Sequence, residues 1–100
     1  MAEMDELQVG ALSEFVAEND PFMLDVRETH EFEAVAIPGA VNIPLGEVPR
    51  RLHEIPRDRV ILVICERGAR SERVAKFLIQ QEYEQVVNLL GGTSAWSAEK

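Results

Sequence analysis

The sequence predicts an α/β domain of three layers, a parallel sheet with helices on both faces. Three observations predict it. Two short runs nearly free of charge, Phe22-Met-Leu-Asp-Val26 and Val60-Ile-Leu-Val-Ile64, have the composition of strands buried on both sides. β-rich runs alternate with segments of helical spacing along the chain, which calls for right-handed crossover connections. The length of 100 residues suits one hydrophobic core, so residues 1–100 are read as a single domain with no linker or repeat.

In chain order, Leu7-Gln-Val9 is a short edge strand, and Ala11 to Glu18 has helical spacing. The strand Phe22–Val26 follows, then a helical segment from Glu28 to Val35. Ala40-Val-Asn-Ile43, set between Pro38-Gly39 and Pro44, is a further strand bounded by breakers. Helical spacing returns from Val48 to Ile55 and precedes the apolar strand ending at Ile64. The clearest helix runs from Ser71 to Gln81, where Val74, Phe77 and Leu78 share one face. The last strand, Val86-Val-Asn-Leu-Leu90, meets Gly91-Gly92, and a short helix ends the chain around Trp96.

Composition narrows the function classes. At 46% hydrophobic and 28% charged residues the chain has an ordinary globular balance, which excludes wholesale disorder. A formal net charge of -8 excludes nucleic acid and anionic membrane as main partners, since both need a surplus of Lys and Arg. Met1 to Leu7 is acidic and lacks a signal-peptide pattern, and no apolar run reaches spanning length, so a cytoplasmic location is expected. One cysteine cannot form an internal disulfide or supply most of a zinc site, and His30 and His53 have no neighbouring partner, so neither metal nor cofactor is expected.

Cys65 therefore carries the functional question. In open α/β sheets ligands bind beyond the carboxyl ends of the strands, and Cys65 stands at such an end. Cys65-Glu66-Arg67-Gly68-Ala69-Arg70-Ser71 joins a buried strand to the start of the best helix. A tight loop there turns backbone N–H groups toward one centre, the helix adds the positive end of its dipole, and Gly68 permits the unusual backbone angles required. With Arg67 and Arg70 nearby, a sulfur at this mouth is expected to be a thiolate well below the free-cysteine pKa of ~8.5. Glu66 opposes this if its carboxylate points inward, so it is expected to face solvent. Ser71 suits an N-cap, or alternatively reaches the sulfur or a bound oxyanion. A lone cysteine would more often be a core filler; strand end, Gly, two Arg and helix start together favour an anion site without identifying the anion.

Three fragments resemble the rhodanese family over nearly the whole chain. They are Phe22-Met-Leu-Asp-Val-Arg-Glu28 with Glu31-Phe32, then Ile37-Pro-Gly-Ala-Val-Asn-Ile-Pro44, then Cys65-x-x-Gly68-x-Arg70-Ser71 with Gly91-Gly92 and Trp96. Ala36 departs from the pattern, where many members have histidine. The resemblance implies a rhodanese-like domain with a five-stranded parallel sheet and a two-step exchange through Cys65. The thiolate takes the outer sulfur of thiosulfate or another sulfane-sulfur donor, and cyanide, a small thiol or a thioredoxin-like dithiol removes it. It also implies that Glu66, Arg67, Gly68, Ala69, Arg70 and Ser71 bind the substrate. Asp25 and Arg27 could reach the site from an adjacent strand end but are read rather as a structural ion pair or as loop hydrogen bonds, and Trp96 as a closing core aromatic.

Two alternatives stay open. A related phosphatase or arsenate reductase also uses a cysteine, a backbone cradle and an arginine, with one more residue between cysteine and arginine than the four, Glu66 to Ala69, found here. A noncatalytic interaction or sulfur-carrier module of the same fold is the other.

Overall fold

The structure is a computed structural model, and it describes residues 3–99. Five strands form one sheet in the order β1-β5-β4-β2-β3, with every neighbouring pair parallel. They are β1 (Asp5–Gln8), β2 (Phe22–Asp25), β3 (Val41–Asn42), β4 (Ile61–Ile64) and β5 (Val86–Leu90). The α-helices are α1 (Leu12–Asn19), α2 (Thr29–Ala34), α3 (Ala69–Gln80) and α4 (Gly92–Ala98). The α/β class and the five-stranded parallel sheet are as the sequence and its resemblance led one to expect.

β4 is the central strand. All four of its residues are buried, because β2 and β5 cover its edges and apolar layers cover its faces. Its side chains alternate between two cores. Ile61, Val63 and then Cys65 join Leu24, Val74, Ala75, Leu78, Tyr83 and Val86 on the α3 side. Leu62 and Ile64 join Leu12, Met23, Val87 and Leu89 on the other, where Trp96 packs partly buried. The period-two alternation thus fixes the direction of Cys65, toward the layer that holds α3.

One expected helix is corrected. Val48 to Ile55 forms no α-helix; the segment folds as 3-10 turns over Leu45–Glu47 and Pro49–Glu54, broken at Arg51 (φ -117, ψ 20). Pro49 stands in the first turn, where a missing N–H costs nothing, so it does not bar an α-helix; the bonds that form nevertheless span three residues, such as Arg51 N–H to the Val48 carbonyl (3.1 Å) and Ile55 N–H to that of Leu52 (2.9 Å). Tertiary contacts hold the segment instead: Val48 and Ile55 enter the core, and the Tyr83 hydroxyl donates to the Ile55 carbonyl (2.7 Å). The edge strand also begins earlier than expected, at Asp5, and ends at Gln8. No helix among the described residues is long and apolar enough to cross a membrane.

Candidate active site

The chain leaves β4 at Ile64, places Cys65, turns through residues 66–68 and enters α3 at Ala69. Gly68 makes the turn with φ 107, in the left-handed region where a side chain is strained, and it is the N-cap of α3. Ser71 is therefore not the cap that its composition suggested. The helix begins two residues before it, which places Ser71 inside the first turn with its Oγ 3.2 Å from Cys65 Sγ. Of the two roles open to it, Ser71 takes the one at the sulfur.

The sulfur accepts the backbone N–H of Gly68 at 3.0 Å. Loop carbonyls point the other way. The Cys65 and Glu66 carbonyls accept the N–H groups of Thr93 and Ser94, both at 2.9 Å, from the first turn of α4. Because a trans peptide sets N–H opposite C=O, anchoring these carbonyls on α4 turns the following N–H groups of Glu66 and Arg67 away from it. Gly92 makes the approach feasible: with φ 54 it lies against the loop so closely that a Cβ would overlap the Cys65 carbonyl oxygen.

Behind the sulfur stands a buried polar network. Asn88, facing α3 from β5, donates from Nδ2 to the Gly68 carbonyl at 3.3 Å. A carbonyl only accepts, so the amide orientation is set, and Oδ1 faces the hydroxyl of Ser71, which donates to it. Ser71 consequently presents oxygen lone pairs to Cys65. Ser71 and Asn88 are both almost fully buried, and no buried side-chain N or O among the described residues lacks a partner. The network stiffens the loop without placing a charge beside the sulfur.

The cations are arranged differently from the expectation of two arginines aimed at an anion. Arg70 forms a two-pronged pair with Glu31 of α2, Nη1 to Oε1 at 2.8 Å and Nη2 to Oε2 at 3.0 Å. Glu31 also accepts the Glu28 N–H (2.9 Å) in a capping box at the start of α2. The Arg70 hydrogen bond, opposed by partial burial and helped by the Glu28 N–H, holds the Glu31 carboxyl down to about 2. The same contact raises Arg70 above its ordinary value. Arg67 is 81% exposed and lies 3.6 Å from the half-exposed Glu66, whose other oxygen is 4.0 Å from Arg70. A cavity of about 160 Å³ opens here, lined by Cys65, Glu66, Arg67, Ala69 and Arg70.

Asp25 and Arg27 form a buried ion pair (2.8 Å) at the end of β2. Arg27 also donates to the carbonyls of Glu31 (3.3 Å) and Val35 (2.8 Å), and Asn42 braces the Asp25 and Arg27 carbonyls at 3.0 and 2.9 Å. This is the structural role read from the sequence: it ties α2, and with it Glu31, to the sheet. His30 and His53 are exposed.

All of the residues singled out between Cys65 and Ser71 thus gather on one turn, and Cys65, Glu66, Arg67, Ala69 and Arg70 line the cavity. Sequence reasoning missed Asn88, the role of Glu31, and the α4 N–H groups that anchor the loop. A polar residue inside the otherwise apolar run Val86–Leu90 was the available signal for Asn88.

A family model, the rhodanese-like domain, matches residues 8–99. A sulfurtransferase of Allochromatium vinosum is 37% identical over 95 residues, spanning 94% of this chain and 89% of that protein. Among solved structures, a rhodanese-related protein from Thermoplasma volcanium has a TM-score of 0.86 at 30% identity, covering 95% of this chain and 92% of that one. Reduced Bacillus anthracis CoADR-RHD has a TM-score of 0.88 at 33% identity, covering 94% of this chain and 16% of that larger one.

Proposed function

The chain belongs to the rhodanese-like domain family, and from that premise we propose that it is a sulfurtransferase whose Cys65 carries sulfane sulfur as a persulfide. One observation carries the reading: the only cysteine ends the central strand with its sulfur held 3.0 Å from the Gly68 N–H, at the positive end of α3. Buried on all sides but the cavity mouth, it is a nucleophile addressed from one direction.

In the first step the Cys65 thiolate donates an electron pair to the outer sulfur of a sulfane-sulfur donor, thiosulfate or a persulfide. The bond between that sulfur and the rest of the donor breaks, and its electrons leave with sulfite or a thiolate. The enzyme retains Cys65–S–S⁻, whose negative outer sulfur sits in the 160 Å³ cavity. Fixed N–H dipoles suit this charge because they need no reorganisation as it forms. In the second step cyanide, a small thiol or a thioredoxin-like dithiol attacks the outer sulfur and frees the thiolate. The loop has the family's length of four residues between Cys65 and Arg70, a small cradle that fits a sulfur atom better than a phosphoryl group.

Intact mass spectrometry tests the reading. Treatment with a sulfane-sulfur donor is expected to add the mass of one sulfur atom, cyanide to remove it, and Cys65→Ser to show neither change. A donor-treated wild-type protein of unaltered mass would leave the domain a noncatalytic module.

A further inference from the structure

Every arginine at the mouth of the cavity is matched by a carboxylate. Arg70 is held by both oxygens of Glu31 at 2.8 and 3.0 Å, and Glu66 stands 3.6 Å from Arg67 and 4.0 Å from Arg70. Arg27, the next cation inward, is neutralised by Asp25 at 2.8 Å. The side chains around the sulfur therefore offer a substrate no net positive charge. What remains is the backbone: the Gly68 N–H and the N-terminal end of α3, a 12-residue helix whose dipole is equivalent to roughly half an elementary charge. That is matched to one negative charge on a sulfane sulfur. A second negative charge, further out on the donor, would meet Glu66 and the field of a chain of net charge -8.

We infer that this site selects sulfane-sulfur donors carrying a single negative charge, alkyl thiosulfonates or the persulfides of uncharged thiols, and discriminates against the thiosulfate dianion. The inference rests on the sulfurtransferase reading and specifies its donor. The transfer balances without any outside oxidant or reductant. With an alkyl thiosulfonate, the Cys65 thiolate forms the new S–S bond, the bond from the outer sulfur to the sulfonyl sulfur breaks, and its electron pair leaves on the alkanesulfinate. The charge of the outer sulfur stays on the persulfide. Thiosulfate differs only in releasing sulfite with one more charge.

Thiosulfate and methanethiosulfonate make a matched pair of probes, since a methyl group replaces one oxyanion. For the wild-type protein, kcat/KM with thiosulfate is expected to rise with added salt as repulsion is screened, over a range of about 20 to 200 mM, while that with methanethiosulfonate changes much less. Glu66→Gln removes a carboxylate whose side chain closes no other contact, and should raise the thiosulfate-to-methanethiosulfonate ratio of kcat/KM about three- to tenfold. Glu31→Gln, which keeps an oxygen for the Glu28 N–H while releasing the charge of Arg70, should shift the ratio the same way. A thiosulfate kcat/KM that falls steeply with salt, with ratios unmoved in both variants, would overturn the inference and leave the sulfurtransferase reading standing. Failure of either donor to add sulfur to Cys65, read by intact mass, would overturn both.

Discussion

Gly92 lies directly against the carbonyl of Cys65: a Cβ on it would overlap that oxygen and sit 2.6 Å from the Glu66 carbonyl carbon. The atoms in the way are backbone, which cannot rotate aside. Gly92→Ala must therefore push α4 off the loop, releasing the Cys65 and Glu66 carbonyls from Thr93 and Ser94, and it strains a backbone at φ 54 as well. A loss of roughly 3 kcal/mol or more in denaturant unfolding is expected, from backbone strain plus unpaired carbonyls. Gly46, where an added Cβ would meet nothing within 4 Å and φ is negative, is the matched control. Gly46→Ala should be tolerated, and equal losses at the two positions would refute the packing argument.

The hydroxyl of Ser71 and the amide of Asn88 depend on each other. Ser71→Ala leaves the buried Asn88 Oδ1 without its donor, and Asn88→Leu deprives the Gly68 carbonyl of one donor and leaves Ser71 that carbonyl, 3.1 Å away, as its remaining acceptor. Each single change is expected to cost about 1–3 kcal/mol, the penalty of an unsatisfied buried group. The double variant should cost less than the sum by about 1 kcal/mol or more, because it removes both ends of one bond. Additive losses in urea unfolding would mean the two residues act separately.

The parts of this fold that were legible in the sequence are those with local causes. The apolar run 60–64 needs burial on both faces wherever it lies, and a glycine three residues after the only cysteine marks a turn whatever surrounds it. The active loop was readable for that reason. Glu31 and Asn88 were not, because their partners lie 39 residues and 17 residues away in the chain, and nothing in either neighbourhood specifies them. Val48–Ile55 failed for the opposite reason: its local spacing was helical, but the burial of Val48 and Ile55 and the anchoring of Ile55 by Tyr83 hold it in 3-10 turns. The arginines show the functional side of the same limit. Their proximity to Cys65 was plain in the sequence, and so was Glu66 beside them, but the two-pronged pairing of Arg70 with Glu31 was a matter of tertiary structure.

Acid titration should expose the Glu31–Arg70 pair. The folded-state value of Glu31 is lowered from 4.5 to about 2, so the pair stabilises the fold fully above about pH 5.5. That contribution is lost as pH falls through 4.5 toward 2, since protonation then costs the folded state more than the unfolded one. Glu31→Gln lacks this dependence. The stability gap between wild type and Glu31→Gln, roughly 1 kcal/mol for a partly exposed pair, should hold from neutral pH to about pH 5.5 and close by about pH 2. Urea unfolding across that range measures it; a gap independent of pH would show that the carboxylate contributes no charge-dependent stability.

Arg70 and Arg67 should differ in consequence, and Arg70→Lys shows why. Arg67 is 81% exposed, with one loose contact to Glu66 at 3.6 Å, so Arg67→Ala is expected to alter sulfur transfer less than about threefold. Arg70 joins the first turn of α3 to α2 through two parallel hydrogen bonds that require a planar fork. Lysine keeps the charge and loses the fork, so it cannot hold both oxygens of Glu31. If Arg70 works by fixing the loop, Arg70→Lys should lower kcat/KM about tenfold, the equivalent of one charge-assisted bond at ~1.4 kcal/mol. The factor should be the same for thiosulfate and methanethiosulfonate, because the net charge of the site is unchanged and only the placement of Cys65 suffers. Were Arg70 instead a Coulombic magnet for the donor, lysine would restore most activity and any residual deficit would fall on the dianion. Steady-state kinetics with both donors, on variants whose folding is verified by circular dichroism, separates the two roles by the pattern of loss as well as by its size.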